Sequence, residues 1–308
     1  MLPLNLVKEI LRNVKKEVIL TVFESKEMYE FARKLSEFNE FIKCEFLDYP
    51  EPKLRLPAIK LDKSKIFFHA VPRHSELQSF LFALKVVAEK SLRCENEEDA
   101  DVTIVTFVSQ FCPNCQATVN AINKMTQSYC IEHHVVDAEL FSEIAEKFGI
   151  VSVPTAIIDG MKFTGAMSVQ EVEKWIKAAI NEDYYEYLAE KLMNGEIEEV
   201  KRVAEDRNIG EELGKLMAHR EFMVRLGAMA ALEALHEMKP EIAEEARKVI
   251  TELLNHDDER IREDAAMMLG IIGSEKDIKN LKELIEEGGR IGDSAEEAIK
   301  NIRRKKNG

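Results

Sequence analysis

The sequence predicts an α/β region made of two successive units of similar order, followed by an all-α region. Three observations carry this. Strand-like apolar runs alternate with amphipathic helical runs up to about residue 182. One of those strands leads into Cys112-Pro-Asn-Cys115 at the head of an amphipathic helix. From about Asp183 the strand signal stops, and a helical pattern recurs at an offset of 37 residues. A chain of 308 residues also exceeds one ordinary core, so two or three domains are expected.

In the first unit Leu4–Lys15 reads as a short helix and Glu17–Glu24 as a buried strand. Met28, Phe31, Leu35 and Phe38 recur at helical spacing. Phe41–Asp48 alternates, with Ile42, Cys44 and Phe46 on one face, which makes Cys44 a core thiol. Pro57–Leu61 and Lys65–His69 form a hairpin, and Ser75 caps a helix carrying Leu77, Phe80, Leu81, Leu84 and Val87. The acidic stretch Arg93–Asp99 is a linker, and its Cys94 is expected to be exposed and incidental.

The second unit repeats the order. Thr103–Val108 is an apolar strand, and Val119, Ile122 and Met125 mark one helical face after the Cys-Pro-Asn-Cys turn. Ile131–Val136 is a strand and Glu139–Phe148 a helix. Val151–Ile158 and Met161–Thr164 are joined by an Asp159-Gly160 turn. Ser168-Val-Gln-Glu171 is a capping box that opens a helix with Val172, Trp175, Ile176 and Ala179 inward.

Composition narrows the function. The hydrophobic fraction of 45% and charged fraction of 32% describe a soluble globular chain. A net charge of −14 argues against nucleic acid as a partner. No apolar run reaches the length of a membrane span, and the N-terminus lacks a signal-peptide core, so a cytoplasmic location is expected. The basic end Arg303–Lys306 is expected to be a solvated, frayed tail. Five cysteines are too few, and odd in number, for a secreted disulfide scaffold, which makes the Cys-x-x-Cys pair catalytic or metal-binding.

At a strand–helix junction the free N–H groups and the positive end of the macrodipole face the sulfur of Cys112 and favour its thiolate. Pro113 suits the first helical position, where a missing N–H costs nothing. Cys115 follows one turn later, within reach of Cys112, and this geometry favours thiol–disulfide exchange. Zinc is the competing reading, because Cys112-x2-Cys115-x14-Cys130-x2-His133 approaches zinc-ribbon spacing. A helix over 113–128 would put Cys130 roughly 20 Å from Cys112, too far for one metal, so no metal is expected there. His133 and His134 are expected in or beside the sheet, and Cys130 as a buried or strand-edge thiol.

The Cys-Pro-Asn-Cys turn, Val136-Asp-Ala138, Lys147-Phe-Gly-Ile-Val-Ser-Val-Pro-Thr155 and Phe163-Thr-Gly165 together resemble the thioredoxin/glutaredoxin superfamily. Two such units in tandem are similar to the glutaredoxin-like protein disulfide oxidoreductases of archaea and thermophilic bacteria. The resemblance spans about residues 1–182 and implies thioredoxin-like domains at 1–93 and 100–182. It implies that Cys112 attacks and Cys115 resolves, with no cofactor. It also implies a cis peptide before Pro154, presenting the Val153 backbone to a substrate strand; Pro113, Val153 and Pro154 are then the substrate-binding residues. Two departures stand out. Glu24–Glu30 lacks a Cys-x-x-Cys where the first unit needs one, although Leu56-Pro57 matches the proline position. Thr106 stands where the superfamily places a buried carboxylate, so the proton acceptor for Cys115 is unassigned.

Residues 183–308 form the third predicted domain. Met217–Leu232 and Leu254–Leu269 align without a gap, and Leu284–Ile299 follows at an offset of 30. The pattern resembles HEAT-like repeats, an α-solenoid in which each helix pair covers its neighbour's apolar face. Arg225 and Arg262 occupy the basic position of the repeat, and Gly292 replaces it in the third copy. Tyr184–Leu216 is expected to add a helix pair, and Met217, Met223, Met229, Met267 and Met268, at helical spacing, to be core, with a partner groove as the alternative. The function implied is a protein thiol–disulfide oxidoreductase acting on protein thiols and disulfides, with a client or reductase docked on the repeats. The alternative is a redox-sensing adapter without turnover.

Overall fold

A computed structural model describes residues 4–51, 53–89, 92–94 and 100–307. Contacts divide the chain into two compact units, Met1–Glu182 and Asp183–Gly308. The first is an α/β unit, in the order α1 (Leu4–Leu11), β1 (Val18–Phe23), α2 (Lys26–Ser36), β2 (Ile42–Leu47), β3 (Ala58–Leu61), β4 (Ile66–Phe68) and α3 (His74–Glu89). It continues with β5 (Val102–Val108), α4 (Cys115–Met125), β6 (Ile131–Asp137), α5 (Ser142–Lys147), β7 (Thr155–Ile158), β8 (Met161–Thr164) and α6 (Val169–Ile180).

All eight strands join one sheet, ordered β2-β1-β3-β4-β6-β5-β7-β8. β4 and β6 pair in parallel and splice the two successive units edge to edge, with Phe67 opposite His134. This pairing removes an exposed edge from each unit. Helix α3 packs on α1 and α4 and against β1 and β3. It is therefore buried nearly all round, including the polar Glu76 and Ser79. One core runs through Leu20, Phe80, Leu81 and Leu84 of the first unit to Val108, Cys112, Cys115 and Val119 of the second. The first unit thus backs the Cys-Pro-Asn-Cys turn directly.

Several expectations need correction. Cys94 is buried and bonded to Cys130. The chain beyond α3 folds back on the end of α4, where Arg93 N–H donates to the Thr126 carbonyl, and this brings the two cysteines together. Cys44 is free and half-buried against the core. His74, not Ser75, is the first residue of α3; Ser75 Oγ instead donates to the Gln110 carbonyl, 2.9 Å away. Residues 95–99 of the acidic linker lie outside the described residues.

The Asp183–Gly308 unit is helical: α7 (Tyr185–Met193), α8 (Ile197–Asp206), α9 (Gly210–Leu216), α10 (Phe222–Leu235) and α11 (Pro240–Leu253). There follow α12 (Glu259–Ile272), a 3-10 turn (Glu275–Asp277), α13 (Ile278–Ile285) and α14 (Gly289–Asn307). Residues 184–216 hold three helices instead of a pair, and the basic end is the last turns of α14 instead of a frayed tail. The aligned positions Val224, Ile261 and Ile291, Ala228, Ala265 and Ala295, and Leu232, Leu269 and Ile299 are all buried. Arg225 Nη1 donates to the His219 carbonyl and its Nε to Asp264 of the next repeat. Arg262 does the same one repeat on, with the His256 carbonyl and Glu287. These two arginines therefore tie each loop to the following repeat. Of the five methionines, Met217 and Met268 are core, whereas Met223 and Met267 are exposed and Met229 is half-buried. Gly210 and Gly214 let α9 lie directly on α11, because a Cβ on Gly210 would sit 2.3 Å from the Ile242 carbonyl oxygen.

Candidate active site

β5 ends at Val108, and the chain turns through Ser109–Asn114 before α4 begins at Cys115. The helix starts two residues later than its sequence suggests. Pro113 is exposed in the turn and not within the helix, while Asn114 already has αR dihedrals. The turn is tightened because Cys112 N–H donates to the Ser109 carbonyl at 3.0 Å. Cys112 and Cys115 are joined as a disulfide. The Cys115 N–H donates to Cys112 Sγ at 3.1 Å, a helix-start donor that favours negative charge on that sulfur.

The Val153–Pro154 peptide is cis, and among the described residues it is the cis bond found; Leu56–Pro57 is trans. Cys112 Sγ lies 3.7 Å from the Val153 carbonyl oxygen. The Pro154 carbonyl accepts from Gly165 N–H at 2.8 Å, which anchors the loop. Cys112, Cys115, Val153 and Pro154 therefore converge, and Pro113 lies beside them. Phe111 and Val151 are exposed apolar side chains near these residues in sequence, with Phe111 against the ring of His74 at 5.0 Å.

Sequence reasoning missed Glu76. This carboxyl, on the first turn of α3, is 6% exposed and lines a cavity of about 10 Å³ with Cys115, Ser79, Val108 and Val119. That volume is about what one water needs. Its Oε1 has no hydrogen-bond partner among the described residues, and burial, together with the nearby Asp137 and Glu139 carboxylates, pushes its pKa up to about 8. The usable signal was an acidic residue in a helix whose other positions are apolar on nearly every side. Thr106, at the position where the carboxylate was sought, instead shares a 2.8 Å hydrogen bond with His133, whose other ring nitrogen meets Asn123 at 2.7 Å. Burial pushes the His133 pKa down to about 3, so the ring is neutral there. Cys130, the third residue of the zinc-ribbon spacing, is bonded to Cys94.

The first unit contributes the far wall of a cleft of about 550 Å³, where Ser25, Met28 and Pro57 face Gln110, Asp137 and Leu140. In place of a thiol, Ser25 caps α2, its Oγ accepting from Met28 N–H.

Residues 100–177 match the family model described as a thioredoxin domain, and residues 210–300 match that of HEAT repeats. Over 116 residues the chain is 28% identical to a protein called NADH dehydrogenase from Ferdinandcohnia aciditolerans, a match covering 35% of this chain and 22% of that protein. The chain thus spans less than a quarter of that relative's length. Among solved structures, the N-terminal domain of alkylhydroperoxide reductase AhpF from Enterococcus faecalis is 22% identical, covering 57% of this chain and 96% of that one, with a TM-score of 0.49. A protein disulfide oxidoreductase from Aeropyrum pernix is 19% identical, covering 58% and 92%, with a TM-score of 0.48. This chain carries a thioredoxin domain at residues 100–177 followed by HEAT repeats at residues 210–300.

Proposed function

We propose that the chain is a protein thiol–disulfide oxidoreductase whose working couple is Cys112/Cys115. The observation that carries this is the Cys112 sulfur, held between the Cys115 N–H at 3.1 Å and the Val153 carbonyl at 3.7 Å. In the reducing direction the Cys112 thiolate attacks a substrate disulfide. One substrate thiolate leaves, and a mixed disulfide remains on Cys112. Cys115 loses its proton to the Glu76 carboxylate, directly or through one water, and attacks Cys112 Sγ. The second substrate thiolate departs, and the Cys112–Cys115 disulfide forms as two electrons pass to the substrate.

The Val153 backbone and Pro154 hold an extended substrate segment beside the sulfur, and Pro113 lies against it. A dithiol donor then returns the pair to thiols; the NADH dehydrogenase that shares part of this sequence suggests a pyridine-nucleotide reductase at the far end of that chain. The helical repeats dock the client or the donor. Exposed Phe222, Met223, Leu226 and Met267 offer apolar contacts there, beside Arg220, Arg260 and Arg290. Three domains, at 1–93, 100–182 and 183–308, and a cytoplasmic location complete the reading.

Cysteine variants test it. Cys112→Ser abolishes disulfide reduction, while Cys115→Ser accumulates mixed disulfides that mass spectrometry detects on Cys112. Full turnover by Cys112→Ser would end the proposal.

A further inference from the structure

The splice between the two successive units buries a charged group that the dithiol chemistry does not use. Glu132 and His134 lie on the same face of β6, opposite His133. Glu51 comes from the loop after β2. One ligand atom from each of Glu51, Glu132 and His134 lies within 4.8 Å of the others. The three residues are 2%, 4% and 0% exposed. Glu51 is held in place by its own loop: its carboxylate accepts from the N–H groups of Lys53 and Leu54 at 3.1 and 2.8 Å.

Hydrogen counting shows what this group needs. The Pro57 carbonyl meets His69 Nδ1 at 3.0 Å, His69 Nε2 meets His134 Nδ1 at 2.9 Å, and His134 Nε2 meets Glu132 Oε1 at 2.9 Å. The carbonyl only accepts. Three contacts in series need three hydrogens, and two neutral imidazoles carry two. The carboxylate end therefore requires one further proton or a metal ion. A second positive charge comes from Lys53, whose Nζ lies 2.8 Å from Glu132 Oε2 while its side chain is half exposed. One divalent cation carries the same two charges.

We propose that Glu51, Glu132 and His134 bind a first-row divalent metal ion such as Zn²⁺, with Lys53 withdrawing to solvent. One imidazole nitrogen and two carboxylate oxygens suit such an ion, and three protein ligands leave a fourth position for water. His134 ligates through Nε2, because its Nδ1 is committed to His69. That outer contact fixes the ring, and Phe67 stacks on it at 4.8 Å. The Lys53 side of the site gives the ion its route in. A bound ion ties the loop of the first unit to β6 of the second and stabilises the splice by mass action.

The test is titration of the full-length protein with both disulfides closed and the free Cys44 replaced by serine. Co²⁺ is followed by visible absorption and Zn²⁺ by calorimetry, with circular dichroism confirming the fold of every variant. One equivalent binds to this protein. Glu51→Gln and His134→Gln each weaken binding by more than the roughly 10–100-fold that loss of an outer partner costs. Lys53→Met, at a half-exposed position, tightens it. Absence of stoichiometric binding in both the parent and Lys53→Met overturns the site, as does unchanged binding in folded Glu51→Gln. Because the disulfides stay closed, neither result bears on the Cys112/Cys115 couple.

Discussion

Glu76 concentrates the residue-scale physics. Its pKa is pushed up to about 8, first by burial and then by Asp137 and Glu139, with Arg73 opposing. Between its ordinary value of 4.5 and about 8 the folded state holds a proton that the unfolded state has released. The stability linked to this proton is complete below about pH 4.5 and is lost as pH rises through about 8. Thermal melts of the wild type should fall across that window, and Glu76→Gln should flatten the fall. The same variant separates structure from chemistry. Turnover limited by Cys115 should rise with pH through about 8 in the wild type. In Glu76→Gln it should lose that rise and drop by on the order of 100-fold, the usual scale for a positioned base. An unchanged pH–rate profile would remove Glu76 from the mechanism.

Local signals explain which residues were legible. Cys112, Cys115 and Pro154 announce themselves through spacing within a few positions. Glu76 joins Cys115 from a helix in the other unit, and as an acidic residue in a first helical turn it reads as ordinary dipole compensation. Glu51 and His69 likewise reach Glu132 and His134 only through the β4–β6 pairing, which no local pattern encodes.

At the scale of elements, periodicity gave the strands and helices of the α/β unit, and their edges differ by a residue or two. Asn114 takes helical dihedrals before the helix proper begins, and α3 starts a residue before Ser75. The Cys94–Cys130 bond escaped the sequence because a lone cysteine beside an acidic stretch carries no pairing signal. It closes a loop with a separation of 36 residues, tying the chain beyond α3 to the residue before β6. A loop of that length is worth about 3–4 kcal/mol through the unfolded state. Cys94→Ser should lower the unfolding free energy by about that amount in denaturant melts under oxidising conditions. A loss well under 1 kcal/mol would mean that the bridge constrains little. In the helical unit the 37-residue offset identified the repeats correctly, because Arg225 and Arg262 make matching contacts one repeat apart. The three helices of residues 184–216 lack that signature and were underestimated.

At the scale of the molecule, the half of the α/β unit without a Cys-x-x-Cys packs directly against the candidate site. Its α3 supplies Glu76 and packs on α4, and its Pro57 and Met28 wall the cleft. In the proposed mechanism this packing places a carboxylate beside a dithiol whose own strand lacks one. The proposed function requires Cys112/Cys115 to be a reversible couple. The direct measurement is equilibration in thiol redox buffers, with alkylated cysteines counted and located by mass. Cys112 and Cys115 should interconvert together at a potential between about −270 and −120 mV, while buried Cys94–Cys130 stays closed to below about −300 mV. A Cys112/Cys115 pair that stays fully reduced or fully oxidised across that range would contradict it.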